Sequence, residues 1–170
     1  MKRSAVVVLV ATIAATTAGC QFPRDVEGTL DRVQGGGTLR VGVSEHEPYV
    51  VLDAAQPDGV EVRLLEDFAR DLDARARFVR GGEEQLVEQL REGELDVVVG
   101  GITKRSPWKT EVAPTRPFAT THETIGGKDV KDDHVMLVRN GENALLVRLE
   151  RYLLAREATI RRALKREGEE

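Results

Sequence analysis

Leu90-Arg91-Glu92-Gly93-Glu94-Leu95-Asp96-Val97-Val98-Val99-Gly100-Gly101-Ile102-Thr103 is the stretch that decides the fold. Just upstream, Leu86, Val87 and Leu90 recur at helical spacing and predict a helix with one apolar stripe, ending near Gly93. The run Leu95–Val99 is β-branched, too short for a helix, and apolar enough to be a strand covered on both faces. A strand buried on two sides needs helices on two sides, which places the chain in the α/β class.

Working outward, Leu39, Val41 and Val43 alternate with Arg40 and Gly42, the period-2 signature of a strand. Pro48 and Gln56-Pro57-Asp58-Gly59 mark turns. From Val60 to Leu72 the residues Leu64, Leu65, Phe68 and Leu72 form one apolar face, with Glu66, Asp67, Arg70 and Asp71 opposite. Ala76–Arg80 reads as a short strand and Gly81-Gly82 as a turn. The order strand, helix, strand, helix, strand implies right-handed crossovers and a mainly parallel sheet flanked by helices.

The remaining segments differ in kind. Thr120–Asp133 is polar, contains glycine and has no period. His134–Arg139 predicts one more strand, and Leu145, Leu149, Tyr152 and Leu153 give the next helix its stripe. Ile160, Ala163 and Leu164 give a weaker stripe to a final helix that frays toward Glu170. Residues 20–37 end in Gly35-Gly36-Gly37 and hold few large apolar groups, so they read as a flexible tether.

Composition narrows the function. The 170 residues carry 25 Lys+Arg against 29 Asp+Glu, with no basic stripe to grip a phosphate backbone, so a nucleic-acid partner is not expected. Cys20 is the single cysteine, which excludes an internal disulfide and a thiolate zinc site. His46, His122 and His134 lack metal-ligand spacing, and neither a glycine-flanked nucleophilic serine nor a phosphate loop occurs. No metal, no cofactor and no catalytic residue is therefore expected. Glu83-Glu84, Asp132-Asp133 and Glu169-Glu170 read as solvated charge.

The first residues read as an address. Lys2 and Arg3 precede the apolar run Ala5–Ala15, followed by small residues up to Cys20, which is the layout of a bacterial secretory signal. Thr17-Ala18-Gly19-Cys20 resembles a lipobox, with Thr17 in place of the usual aliphatic. That resemblance implies a signal peptide over 1–19, a lipid-bearing Cys20 and an anchor in the cell membrane or outer membrane, outside the cytoplasm. Ordinary secretion with a free thiol is the alternative.

Taken in order, five segments resemble the extracellular solute-binding proteins of family 3, the amino-acid-receptor type of ABC importers. Gly37–Val43 resembles the opening strand, Glu47-Pro48-Tyr49 the Pro-Pro-Phe turn, and Gly59–Leu65 the Gly-Phe-Asp-Val-Asp-Leu helix start, with Arg63 where the second acid is usual. Leu90–Thr103 resembles the passage into the ligand site, and Thr115-Arg116-Pro117-Phe118 the Ser-x-Pro-Tyr hinge entry. The family builds a second lobe after its hinge, needing roughly 100 residues. Here His134–Gly141 resembles the returning strand already, so the resemblance implies one three-layer lobe of the periplasmic-binding-protein type II fold over 38–168, with 119–133 a loop replacing the second lobe.

The resemblance also implies a site. His46 stands where an aromatic stacks on the ligand, and Tyr49 follows the family-type proline. Gly100, Gly101 and Thr103 would end a parallel strand, where glycine N–H groups can approach an anion; a plain tight turn is the other reading. The family's carboxylate-binding arginine falls at Ser106, with Arg105 one step early, and a shifted guanidinium is not an equivalent clamp. Trp108 either lines the cleft or caps the core. The implied activity is non-enzymatic binding of a small polar, amino-acid-like solute, closed by an ABC permease or another envelope protein. An accessory module that docks an envelope protein without solute is the alternative, and a periplasmic dehydratase-like enzyme a more distant one.

Overall fold

The computed structural model describes residues 23–53 and 55–167. The expected signal peptide over 1–19 and Cys20 lie outside the described residues. In chain order the elements are α1 (Thr29–Gln34), β1 (Thr38–Val43), α2 (Val60–Asp71), β2 (Arg75–Arg80), α3 (Glu83–Arg91) and β3 (Val97–Val99). There follow a 3₁₀ turn (Pro107–Thr110), β4 (Ala113–Pro114), β5 (Ala119–Ile125), β6 (Lys128–His134), β7 (Leu137–Val138), α4 (Asn143–Leu154) and α5 (Glu157–Glu167).

The main sheet has the order β2-β1-β3-β7-β4. β1 runs parallel to β2 and β3, whereas β7 is antiparallel to both β3 and β4. Four strands therefore share one direction and one is reversed, so the sheet is mixed where the element order predicts a mainly parallel one. The reversal follows from the route of the chain: β7 arrives from the far end of a ribbon and not through a crossover helix, so it enters from the carboxyl edge.

β3 shows why the decisive stretch is so apolar. Val97 and Val99 face a core shared with Leu65 and Phe68 of α2, Leu149 and Tyr152 of α4, and Ile160 of α5. Val98 faces a second core formed with Leu86, Val87 and Leu90 of α3, Val135 and Leu137. All three valines are fully buried, each contributing about 1.5–3 kcal/mol of apolar burial. On the first side Phe68 and Tyr152 meet edge to face with centroids 5.1 Å apart.

Two expectations change. The segment 119–133 is not a loop but most of a two-stranded antiparallel ribbon, β5–β6, paired from Ala119–His134 to Ile125–Lys128 and closed at Gly126-Gly127. Its residues are too polar to show an apolar period, and backbone pairing organises it together with polar side-chain contacts across the ladder, Thr120 to Asp133 and His122 to Asp129. His134 ends this ribbon and only Leu137–Val138 rejoins the main sheet, splitting the single strand expected over 134–139.

The described part of the expected tether is likewise ordered. α1 buries Val33 in the first core, and distant carboxylates cap it. Glu142 accepts from the N–H groups of Glu27 and Thr29, and Asp25 accepts from Leu30 and, across the molecule, from Ala144 and Leu145 at the start of α4. Each of the two helices is thus capped from the other's flank.

Candidate functional site

β1 and β3 end side by side, and Ser44 N–H donates to the Val99 carbonyl at 3.0 Å. The loops leaving them, Ser44–Tyr49 and Gly100–Thr103, therefore meet at the carboxyl edge of the sheet. Gly101 has φ +64, and a Cβ there would lie 2.4 Å from Cδ2 of His46. Only glycine lets the imidazole lie on this backbone. The same loop is tied to α2, because Glu61 N–H donates to the Tyr49 carbonyl at 3.0 Å.

The rings form a wall. Tyr49 stacks on His134 with centroids 4.4 Å apart and 25° between planes, and His46 is tilted against Tyr49 at 5.7 Å. The Tyr49 hydroxyl lies 2.8 Å and the Thr121 hydroxyl 2.9 Å from Nε2 of His134. His134 reaches this point because it bridges to Thr103 as the ribbon leaves the lobe. The wall borders an open cleft of about 750 Å³, with Gly100 and Gly101 as floor and Glu83, Arg105, His122 and Asp132 around it.

Beneath the floor lies a carboxylate. Glu61, fully buried in the first turn of α2, accepts from Gly100 N–H at 2.9 Å and Gly101 N–H at 3.0 Å through one oxygen. The other oxygen, Oε1, is buried with no hydrogen-bond partner among the described residues. Burial pushes this carboxyl up to about 7, against the lowering effect of the two N–H donors.

The expected site residues divide accordingly. His46, Tyr49, Gly100, Gly101, Thr103 and Arg105 all line the cleft. The glycine N–H groups, however, point down to Glu61 and do not present themselves to an anion in the cleft. Arg105 is held by Asp132, with Nη2 2.6 Å from Oδ2, so its guanidinium is already engaged. Trp108 is a correction: in the 3₁₀ turn it packs against the second core and does not line the cleft. Its backbone N–H donates to Ser106 Oγ, which caps that turn. Asp132, read as solvated charge, is buried.

Glu61, Thr121, Asp132 and His134 are site residues that the sequence did not single out. Glu61 carried a signal, since it stands three and four residues before Leu64 and Leu65 on the core stripe of α2, where an acid is out of place. Thr121, Asp132 and His134 depend on the ribbon register, which has no sequence period. Among the described residues no group of three or more His, Cys, Asp or Glu side chains is arranged for a metal ion.

The sequence profile of the bacterial extracellular solute-binding proteins, family 3, matches residues 39–165. The chain belongs to that family. This solute-binding protein is similar in structure to the arginine-bound form of domain 1 from TmArgBP, at 25% identity and TM-score 0.62 over 74% of this chain and 98% of that one. It also resembles the ancestral amino-acid-binding protein AncCDT-1, a precursor of cyclohexadienyl dehydratase, at 16% identity and TM-score 0.70 over 82% and 99% of the two chains. Among curated proteins it is 29% identical over 98 residues to membrane-bound lytic murein transglycosylase F of Photobacterium profundum and 25% identical over 107 residues to that of Vibrio parahaemolyticus. It covers 55% and 62% of its own length in these matches but only 18% and 20% of theirs. The described residues thus form one lobe of the type II fold, and the family supports a solute-binding role outside the cytoplasm.

Proposed function

We propose that this chain is a non-enzymatic, extracytoplasmic binding lobe that holds a small polar, amino-acid-like solute in the cleft at the carboxyl edge of its sheet. The observation that carries the reading is the ring wall of His46, Tyr49 and His134 standing over a glycine floor in an open cleft. A rigid ring wall fixed by stacking and by the Tyr49–His134 hydrogen bond orients a small solute at low entropic cost. Domain 1 from TmArgBP, a single domain of this fold, has an arginine-bound form, which supports binding without a second lobe.

Tight capture buries about 70–90% of a small ligand, and one wall with a narrow ribbon leaves part of the solute in water. Closure falls to a partner surface, an ABC permease or another envelope protein, and Cys20 supplies the lipid anchor that keeps the lobe near it. Calorimetric titration of the chain with a panel of amino acids, amines and organic acids tests the reading. At least one member binds with measurable heat, and Tyr49→Ala weakens it about tenfold through loss of a buried aromatic contact. A flat response across the panel overturns it.

A second reading draws on the transglycosylases, of which the chain matches only about a fifth. There a lobe of this kind is one part of a larger membrane-bound protein, which supports an accessory module that docks an envelope protein. A photo-crosslinker at exposed His122 then captures one envelope protein in cells whether or not solute is present.

A further inference from the structure

Two helices aim their amino ends at the cleft, and a helix amino end ordinarily favours an anion. Both ends are already occupied by the chain's own acids: Glu61 in the first turn of α2, Glu83 and Glu84 in the first turn of α3. The glycine N–H pair that an anion would use is consumed by Glu61. Arg105 is the one arginine or lysine among the described residues lining the cleft, and Asp132 holds it. Glu47 and Glu83 are the other charged lining groups, leaving the cleft formally anionic, with His46, His122, His134 and Tyr49 as its remaining titratable groups.

We infer that the cleft is built for a small organic cation without a carboxylate, an amine or a guanidine, and that Glu61 sets this preference from beneath the floor. A carboxylate on the solute would find the Gly100 and Gly101 donors taken and would have to compete with Asp132 for Arg105. A cation meets Glu47 and Glu83 at the rim, the exposed ring of His46, and the field of Glu61 through the glycine turn. This inference rests on the solute reading above and narrows it.

The test is a titration of the whole chain at pH 8, above the Glu61 value of about 7, with agmatine, L-arginine and glutarate as probes. Agmatine is arginine without its carboxylate, so the pair isolates that group. Agmatine binds at least as tightly as L-arginine, and glutarate binds at least about tenfold more weakly, the scale of one charge acting across a protein dielectric. In Glu61→Gln, which keeps an acceptor for the glycines and loses the charge, agmatine weakens about tenfold and glutarate gains. L-arginine binding more than tenfold tighter than agmatine, or glutarate binding tightest, overturns the inference while leaving solute binding intact. Unchanged agmatine affinity in folded Glu61→Gln overturns the role of Glu61. If that variant does not fold, the wild-type ranking decides. Silence of the full amino-acid, amine and acid panel instead removes the solute reading itself.

Discussion

β3 has a buried carboxylate at each end, and the two are treated in opposite ways. At its amino end Asp96 accepts from the Arg40 backbone N–H at 2.8 Å, from Arg40 Nη2 and Arg32 Nη2 each at 2.6 Å, and from Arg40 Nε at 3.2 Å. At the carboxyl end Glu61 has two backbone donors on one oxygen and none on the other, with no cation. A saturated, neutralised carboxylate is a fastening: it ties α1 to β1 and β3 and has nothing left to offer. An under-satisfied one keeps capacity to respond to what comes near, and it is the one beneath the cleft. A buried acid is therefore read by counting what it still lacks.

The sharpest way to break this contrast is to remove Asp96. Asp96→Ala strands two arginines and lowers stability by about 3 kcal/mol in chemical denaturation, near the low end for a broken buried pair because the arginines can turn toward water. Arg32 and Arg40 side chains are 40% and 28% exposed, which is what gives them that escape. A loss no larger than an ordinary surface substitution would erase the distinction.

The next effect is read against pH. The folded-state value of Glu61 is raised from 4.5 to about 7, so the native state holds a proton that the unfolded chain releases. Its stabilising contribution is complete below about pH 4.5 and is lost as pH rises through about 7. Between pH 5 and pH 7 this amounts to about 2 kcal/mol, and Glu61→Gln removes that slope. Denaturation midpoints of the two proteins across this range decide the matter. Parallel curves would mean that Glu61 is as settled as Asp96.

The smallest effect sharpens the comparison at the floor itself. Gly101→Ala forces a side chain into positive φ and against His46, costing about 1 kcal/mol of stability. It also displaces the imidazole, so calorimetry shows weaker solute binding while the Asp96 end is untouched. Unaltered binding would show that the ring does not need its glycine seat.

Sequence reading recovered what apolar periodicity controls. β1, β3 and the helices α2 to α5 announce themselves by stripes and alternation, whereas His46, Tyr49 and the glycine pair come from the family resemblance, and the structure places them together at one edge of the sheet. Sequence reading missed what pairing and capping between distant segments control. α1 puts only Val33 fully into the core, with Leu30 packed against it, and besides the nearby Asp25 its cap is Glu142, more than a hundred residues away, so the local sequence alone reads as a tether. The ribbon is held by backbone bonds between polar strands, which carry no pattern at the level of residue type. Asp132 and His134 enter the cleft only through that register. Trp108 could face either way because a lone aromatic in a turn has no period, and it packs against the second core.

The ribbon's closure at Gly126-Gly127 has an architectural meaning. Two strands leave the lobe together and are joined by nothing but a tight turn, their backbones held at the spacing of a β-ladder, about 4.8 Å. That is a natural splice point: polypeptide of any length grafted there would start and finish at neighbouring positions without disturbing the framework below. The lobe thus carries a ready-made socket for added cargo, and its present occupant is the shortest a chain can supply.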